Sequence, residues 1–417
     1  KNFYDRDYDD NTWETVSIPH QVNASDSFSR LGSNQGDTGQ YRGVVLYRKH
    51  FTVPADANGK KVFIEFEGIY NTAYVWVNGQ KVGYYEHTVA PFGFDITKYV
   101  EAGEEAVIAV ASDSSSGRGM ENYYKETIPG TEWGSNNGSG YQWASHEFMT
   151  TQAGLVYNVN LYIKSPIYQT LALYDNMKTT GTYIWADNFD IDEKKATINV
   201  KSEVRNETSK DEELILQVDV VKNIDPNKED GDAKEHNKKP YLQYSFTGTG
   251  TAKAASDAGI TFETVVKPEV YADGVVHEGL TEVDTVDVSY ISASFNASEL
   301  DFWSTDSPHL YDVYTYLKNE AGEVIDSQKI TTGFRKVEYS INDGLTINDK
   351  NVWLTGYAQR SANEWAAIGS ANDWLTDYDM SLVKESNSNF IRWMHNAPRV
   401  NTVRATDKYG IAIVAPA

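Results

Sequence analysis

The chain contains no cysteine. That absence excludes disulfides, thiolate zinc sites and cysteine nucleophiles together. Nor is there a run of about 18 apolar residues, the length a membrane-spanning helix needs, so no membrane insertion is expected. A charged-then-apolar leader is missing at Lys1, as it would be from a processed chain. The compartment stays open, with an extracytoplasmic one expected. Basic charge is short: 37 Lys and Arg stand against 60 Asp and Glu, a net charge of −23. Such a field repels phosphate backbones, and no basic stripe offsets it, so nucleic acid is excluded as a partner while neutral sugars are indifferent.

Motifs that carry metal or phosphate chemistry are equally scarce. There is no glycine-rich phosphate loop and no Gly-x-Ser-x-Gly elbow. His146-Glu147-Phe148 lacks the second histidine four positions on that a zinc helix requires, and the eight histidines are otherwise scattered. The acidic stretch 223–240 has its glycine one place late for a calcium loop and no helices around it, which makes it a solvated loop. No metal and no cofactor is expected.

What the chain does have is length, tyrosine and tryptophan: 417 residues, with 28 Tyr and 10 Trp. At about 100 to 200 residues per domain, three domains are expected. Up to about residue 165, "VLYRKHFTVP" (45–54), "KVFIEFEGI" (61–69), "NTAYVWVNGQKVGYY" (71–85) and "EAVIAVASD" (105–113) read as short strands. Asn78-Gly79 is a two-residue hairpin turn between alternating apolar positions. A second β region runs over 166–335, with clean alternation in "KATINVKSEVRN" (195–206) and "EELILQVDVVK" (212–222) and a final strand pair around the turn Glu320–Glu323.

After about residue 340 the rhythm changes. "NVWLTGYA" (351–358) is strand-like, and "WLTDYDMSLVKES" (374–386) carries a helical stripe. "NFIRWM" (389–394) is a strand, and 398–410 fits a helix opened by Pro398 in its first turn and closed by Gly410. "IAIVA" (411–415) is a fully apolar strand. Strand, helix, strand, helix, strand implies parallel pairing with crossovers, here with a bare edge at the third strand. Parallel α/β sheets and barrels place functional groups at the carboxyl ends of strands. Gln359 and Arg360 stand at the first such end, Arg392 and His395 at the second. An arginine on so apolar a strand must be paired with a carboxylate or used. The plainer alternative is internal pairing for Arg392 and strand capping for His395.

One long loop, 121–148, is rich in Gly and Asn and holds Tyr123, Tyr124, Trp133, Tyr141, Trp143 and His146. Aromatic faces suit the apolar face of a pyranose, and Asn and His supply hydrogen bonds. The same aromatics could instead close one end of a sandwich core.

In their order, "TWETVSIPH" (12–20), "LYRKHFTVP" (46–54), "YVWVNGQKVGYYEHTVAPFGFDIT" (74–97), "GLVYNVNLYI" (154–163), "FWSTDSPHLYDV" (302–313) and "DYDMSLVKESNSNFIRWMHNAPRVNTVRATDKYGI" (377–411) resemble glycoside hydrolase family 2. This family comprises β-galactosidases, β-glucuronidases and β-mannosidases. The resemblance covers nearly the whole chain. It implies a multi-domain, mainly β protein: a jelly-roll-like sugar-binding sandwich (1–165), an immunoglobulin-like sandwich (166–335) and the first βαβαβ part of a TIM (β/α)8 barrel (336–417).

It also implies roles. The family's Arg-x-x-His-x-Pro at the end of the second barrel strand lines the pocket for the terminal sugar. Arg392 and His395 match it, although Pro398 comes one residue late. After the first strand the family's Asn-Arg-His is here Gln359-Arg360-Ser361, so Arg360 carries over and the histidine does not. That departure, with "APA" after the third strand, resembles the branch acting on algal galactans. A loop from the first domain reaches over the barrel mouth in the family, which favours Tyr141, Trp143 and His146 as pocket contributors.

A retaining glycosidase needs two carboxyl groups about 5 to 5.5 Å apart, one kept protonated and one ionised. In the resembled family both are glutamates on barrel strands four and seven, beyond Ala417. Asn363-Glu364 mimics the acid/base pair but follows strand one, so Glu364 reads as a loop residue and no catalytic residue is named. The expectation is the amino-terminal portion of a β-galactosidase-like hydrolase of β-galactoside oligosaccharides, with a homo-oligomer as one assembly open to it. The alternatives are a β-glucuronidase or β-mannosidase, or a non-catalytic carbohydrate-binding protein.

Overall fold

The computed structural model describes residues 1–22, 44–69, 72–86, 90–113, 154–174, 176–223, 242–255, 267–270, 276–279, 287–359, 372–393 and 398–415. The aromatic loop 121–148, Arg360, Glu364 and His395 lie outside these residues, as does nearly all of the acidic stretch 223–240.

Seven strands come first: β1 (Val44–Thr52), β2 (Lys61–Phe66), β3 (Thr72–Val77), β4 (Gln80–Glu86), β5 (Phe92–Asp95), β6 (Glu105–Asp113) and β7 (Val159–Lys164). They form two antiparallel sheets, β1-β6-β3-β4 and β5-β2-β7. Alternation places Val62, Ile64, Phe66, Val75, Phe92, Ile108 and Val110 between them. Asn78 (φ 50°) and Gly79 (φ 80°) are both left-handed, so the β3–β4 hairpin has the turn its dipeptide predicts. The other face of the first sheet is covered by the amino-terminal segment, where Phe3, Tyr4 and Trp13 pack on Trp76 and Tyr74.

The next ten strands are β8 (Ile167–Gln169), β9 (Thr182–Asp190), β10 (Lys195–Asn206), β11 (Glu212–Asn223), β12 (Leu242–Ala252), β13 (Lys267–Val270), β14 (Val276–Gly279), β15 (Ser289–Ala297), β16 (Leu310–Lys318) and β17 (Val324–Thr332). Sheet β15-β10-β8, with β9 also on β10, packs on sheet β12-β11-β16-β17. Ile198, Val200, Leu216, Val218, Ile291 and Val313 fill the space between. β13 and β14 form a separate hairpin. Where the two sandwiches meet, Phe63 packs against Tyr168, Leu173 and Met177. A buried ion pair there joins Lys164 to Asp326 at 3.0 Å, and the backbone N–H of Gln169 donates to the same carboxylate at 2.7 Å.

The last region comprises β18 (Val337–Ser340), β19 (Gly344–Ile347), β20 (Lys350–Asn351), β21 (Gly356–Gln359), α1 (Asp373–Glu385), β22 (Phe390–Trp393), α2 (Val400–Tyr409) and β23 (Ala412–Val414). β21, β22 and β23 are parallel with β22 in the middle, as the alternation of strands and helices predicts. Three details differ from the sequence reading. The stretch 351–358 is not one strand, because Asn348 and Asp349 turn left-handed (φ 52° and 61°) and fold β20 back onto β19 before β21 begins. Pro398 lies before the helix, since Arg399 is extended (φ −77°, ψ 160°) and caps α2 from outside. The third strand is short, and Val414 at its end is 52% exposed. Gly410 closes α2 as expected, in the left-handed conformation (φ 69°, ψ 48°).

Candidate functional site

The parallel sheet sorts its residues by face. Ile391 and Trp393 are buried against Met380 and Val383 of α1 and Ala405 of α2. Successive side chains on a strand point to opposite faces, so Phe390 and Arg392 stand on the side away from the helices. Arg392 is exposed there, in register with Ala358 of β21 and Val414 of β23, while Phe390 is in register with Gly356 and Ala412. The helices cover one face, and Arg392 is on the other.

Gly356, in register with Phe390, is fixed by close approach of the two strands. A Cβ at Gly356 would press on the Phe390 carbonyl oxygen, so close pairing of β21 with β22 requires glycine. Asn389, just before β22, ties the three strands together at their amino ends. Its backbone N–H donates to Thr355 O and its carbonyl accepts from Ala412 N–H. Its side chain accepts from Thr355 N–H and donates to Trp353 O, both at 2.9 Å. Sequence reasoning missed Asn389. Its only signal is a polar residue directly before an apolar run.

Gln359 is in register with Trp393, which puts it on the helix side of the sheet, the face opposite to Arg392. Gln359 Oε1 and Trp393 Nε1 are both buried without a hydrogen-bond partner among the described residues. Gln359 and Arg392 thus share the carboxyl end of the sheet but not a face. Of the seven candidate residues these two are described; Arg360, His395, Tyr141, Trp143 and His146 are not.

The carboxylates described between β21 and β23 sit on the helices. Asp377 accepts from Lys408 and Tyr409. Burial pushes Asp379 up to about 6, and burial, with the Asp379 charge adding to it, raises Tyr357. Burial also raises Asp407, with Arg335 opposing it. Among the described residues, none at the carboxyl ends of the parallel strands is acidic, and no group of His, Asp and Glu has metal-binding geometry. Among the described residues, what the face offers is an exposed arginine, a residue type that donates to hydroxyl or carboxylate oxygens, in register with Ala358 and Val414.

The parallel unit is seated on both sandwiches. Trp303 Nε1 donates to Asp407 O at 2.8 Å, and Lys384 Nζ donates to Thr305 O. Arg399 lies over the Tyr157 ring at 4.5 Å.

Comparison with known proteins gives two family matches. The model described as "Glycosyl hydrolases family 2, sugar binding domain" matches residues 2–124, and "Glycosyl hydrolases family 2" matches 182–335. A protein named beta-glucuronidase from Formosa agariphila is 33% identical over 100% of this chain and 36% of its own length. A beta-galactosidase from Priestia megaterium is 23% identical over 99% of this chain and 34% of its own. The solved structure of a beta-glucuronidase from glycoside hydrolase family 2 superposes with a TM-score of 0.76 at 31% identity, covering 99% of this chain and 37% of that one. The chain thus spans little more than a third of the relatives it matches.

Proposed function

The chain belongs to glycoside hydrolase family 2, and we propose that it is the amino-terminal portion of a retaining β-glycosidase that removes terminal β-linked sugars from oligosaccharides. In this reading residues 1–165 and 166–335 are the two sandwich domains, and 336–417 opens a catalytic (β/α)8 barrel. The observation that carries it is the parallel βαβαβ unit with Arg392 at a strand's carboxyl end. A binding protein built of β-domains alone has no use for such a unit. Arg392 and His395 hold the terminal sugar, with Arg360 and Gln359 beside them and Tyr141, Trp143 and His146 reaching over the mouth. The two catalytic carboxyl groups come from strands beyond Ala417.

Two sugars compete for the pocket. The sequence reading favours a β-galactoside. A β-glucuronide is the second reading, supported by the name of the 33% identical relative and by Arg392 at the strand end, a residue type that takes a carboxylate bidentately.

The test uses the full-length parent with nitrophenyl β-galactoside and nitrophenyl β-glucuronide. His395→Ala, with its fold checked by melting temperature, should lower kcat and kcat/KM together, as loss of a bond that tightens in the transition state does. Activity within about threefold of the parent, under 1 kcal/mol, would mean that His395 only caps its strand. The 417-residue chain alone should turn over neither substrate. Turnover that survives repurification and is abolished by Glu364→Gln would overturn the reading.

A further inference from the structure

We propose that the outer face of the β9–β10–β15 sheet is a second carbohydrate-binding surface, which holds an internal stretch of a neutral β-linked glycan. The inference rests on the glycosidase reading for its ligand class, but it concerns a different sheet and needs no catalytic group.

The face is built by alternation. On β9, Ile184 and Ala186 turn into the core, so Tyr183 and Trp185 turn outwards. Their rings stack with centroids 5.2 Å apart and planes at 26°. Trp185 covers one side of the tyrosine, and Tyr183 remains 65% exposed. On β10, the residues in register with them are Lys201 and Asn199. On β15, Ser292 and Ser294 continue the same two rows. The Lys201 ammonium sits 4.0 Å from the Tyr290 ring centroid, and Ser294 Oγ donates to Asn199 Oδ1 at 2.7 Å.

The solvent face of an antiparallel sheet needs only polar side chains. Here a stacked Tyr–Trp pair stands beside amide, hydroxyl and ammonium groups. The combination suits a pyranose, whose C–H face packs on an aromatic π-face while its hydroxyls meet donors and acceptors alongside. Three strands about 4.8 Å apart make a face about 10 Å across, room for two sugar rings. Charge selects a neutral chain. Asp187, two residues beyond Trp185 on the same face and in register with Thr197, is an exposed carboxylate that repels an anionic chain, while Glu203 is buried and occupied by Thr170, Thr180 and Tyr290. A protein of net charge −23 disfavours polyanions. The surface would keep the parent on its polymer between cleavages at chain ends.

The experiment is native gel electrophoresis of the 417-residue chain in gels with and without soluble β-1,4-galactan. The wild type should be retarded by the galactan. Tyr183→Ala should weaken the apparent affinity at least tenfold, Tyr183→Phe should keep it, and Tyr314→Ala, on the outer face of the other sheet, should leave it unchanged. An unretarded wild type, or retardation that persists in both Tyr183→Ala and Trp185→Ala, overturns the proposal. Because binding is read without turnover, its failure leaves the glycosidase reading standing. Conversely, an inactive parent leaves galactan binding to be judged by the gels alone.

Discussion

Replacing Gly410 with alanine should damage this protein more than its backbone angle alone predicts. Gly410 ends α2 at φ 69°, and a left-handed non-glycine residue costs about 1 to 2 kcal/mol. Gly344, the first residue of β19, has the same φ of 69°. The difference lies in the surroundings. A Cβ at Gly344 meets nothing within 4 Å. At Gly410 it would push into the carbonyl oxygen of Thr305, with Thr305 C at 3.0 Å and Cα at 3.2 Å. All three are backbone atoms, so no side chain can swing away.

Relief requires α2 and the second sandwich to move apart. That motion strains the Trp303–Asp407 and Lys384–Thr305 hydrogen bonds, which cross the same joint. Overpacking of this kind costs about 1 to 3 kcal/mol, so Gly410→Ala should total about 3 kcal/mol and Gly344→Ala about 1. The protein has several domains, and one global unfolding energy would blur the comparison. Hydrogen exchange read by mass spectrometry on peptides covering 303–309 and 400–415 reports the joint directly. Gly410→Ala should speed exchange there about a hundredfold, the equivalent of roughly 3 kcal/mol. Gly344→Ala should leave those peptides unchanged and loosen only its own hairpin. Equal, local effects of the two substitutions would refute the claim that the helix end is wedged against the sandwich.

Much of this architecture is legible in the sequence, for identifiable reasons. β10 spans Lys195–Asn206, the very stretch whose alternation marks it, because one buried and one solvated face leave a period of two. The β3–β4 hairpin follows from Asn78-Gly79, and parallel pairing follows from the interleaved helices. What is not legible depends on partners distant in the chain. The amino-terminal segment shows no periodicity, yet Arg48 anchors it by donating to Asp10 at 2.7 Å and to the carbonyls of Phe3 and Asp5. The turn at Asn348 and Asp349 splits 351–358, and the bonds that then hold Trp353 and Thr355 come from Asn389, more than thirty residues on. Which face Arg392 takes is decided by where α1 and α2 lie, and a strand of four residues does not encode that. Candidate residues could therefore be named from strand ends, but their facing could not. Gln359 and Arg392 look equivalent in sequence and lie on opposite sides of the sheet.

Two further perturbations probe the same framework. Lys164→Met should lower the urea midpoint of the joined sandwiches by the equivalent of about 3 to 5 kcal/mol, because it leaves Asp326 charged and buried. Adding Asp326→Leu should recover much of that loss, and an unchanged single variant would show the pair to be dispensable. The last concerns pH. Burial holds Asp379 at about 6 in the folded chain, against 3.8 for the free group. A raised acid binds its proton more tightly when folded, so its contribution favours folding below about pH 4 and is lost as pH rises through 6. At neutral pH the ionised carboxylate is then a net penalty on α1. Two pK units would correspond to nearly 3 kcal/mol, but the group is only partly buried and solvent screening reduces this to about 1. Asp379→Asn should therefore stabilise the α1 region at pH 7, have little effect at pH 4, and flatten the fall in stability between them. Melting curves across that range test the sign. If the substitution destabilises the protein at pH 7, the contacts that the carboxylate makes outweigh its desolvation, and the predicted sign is refuted.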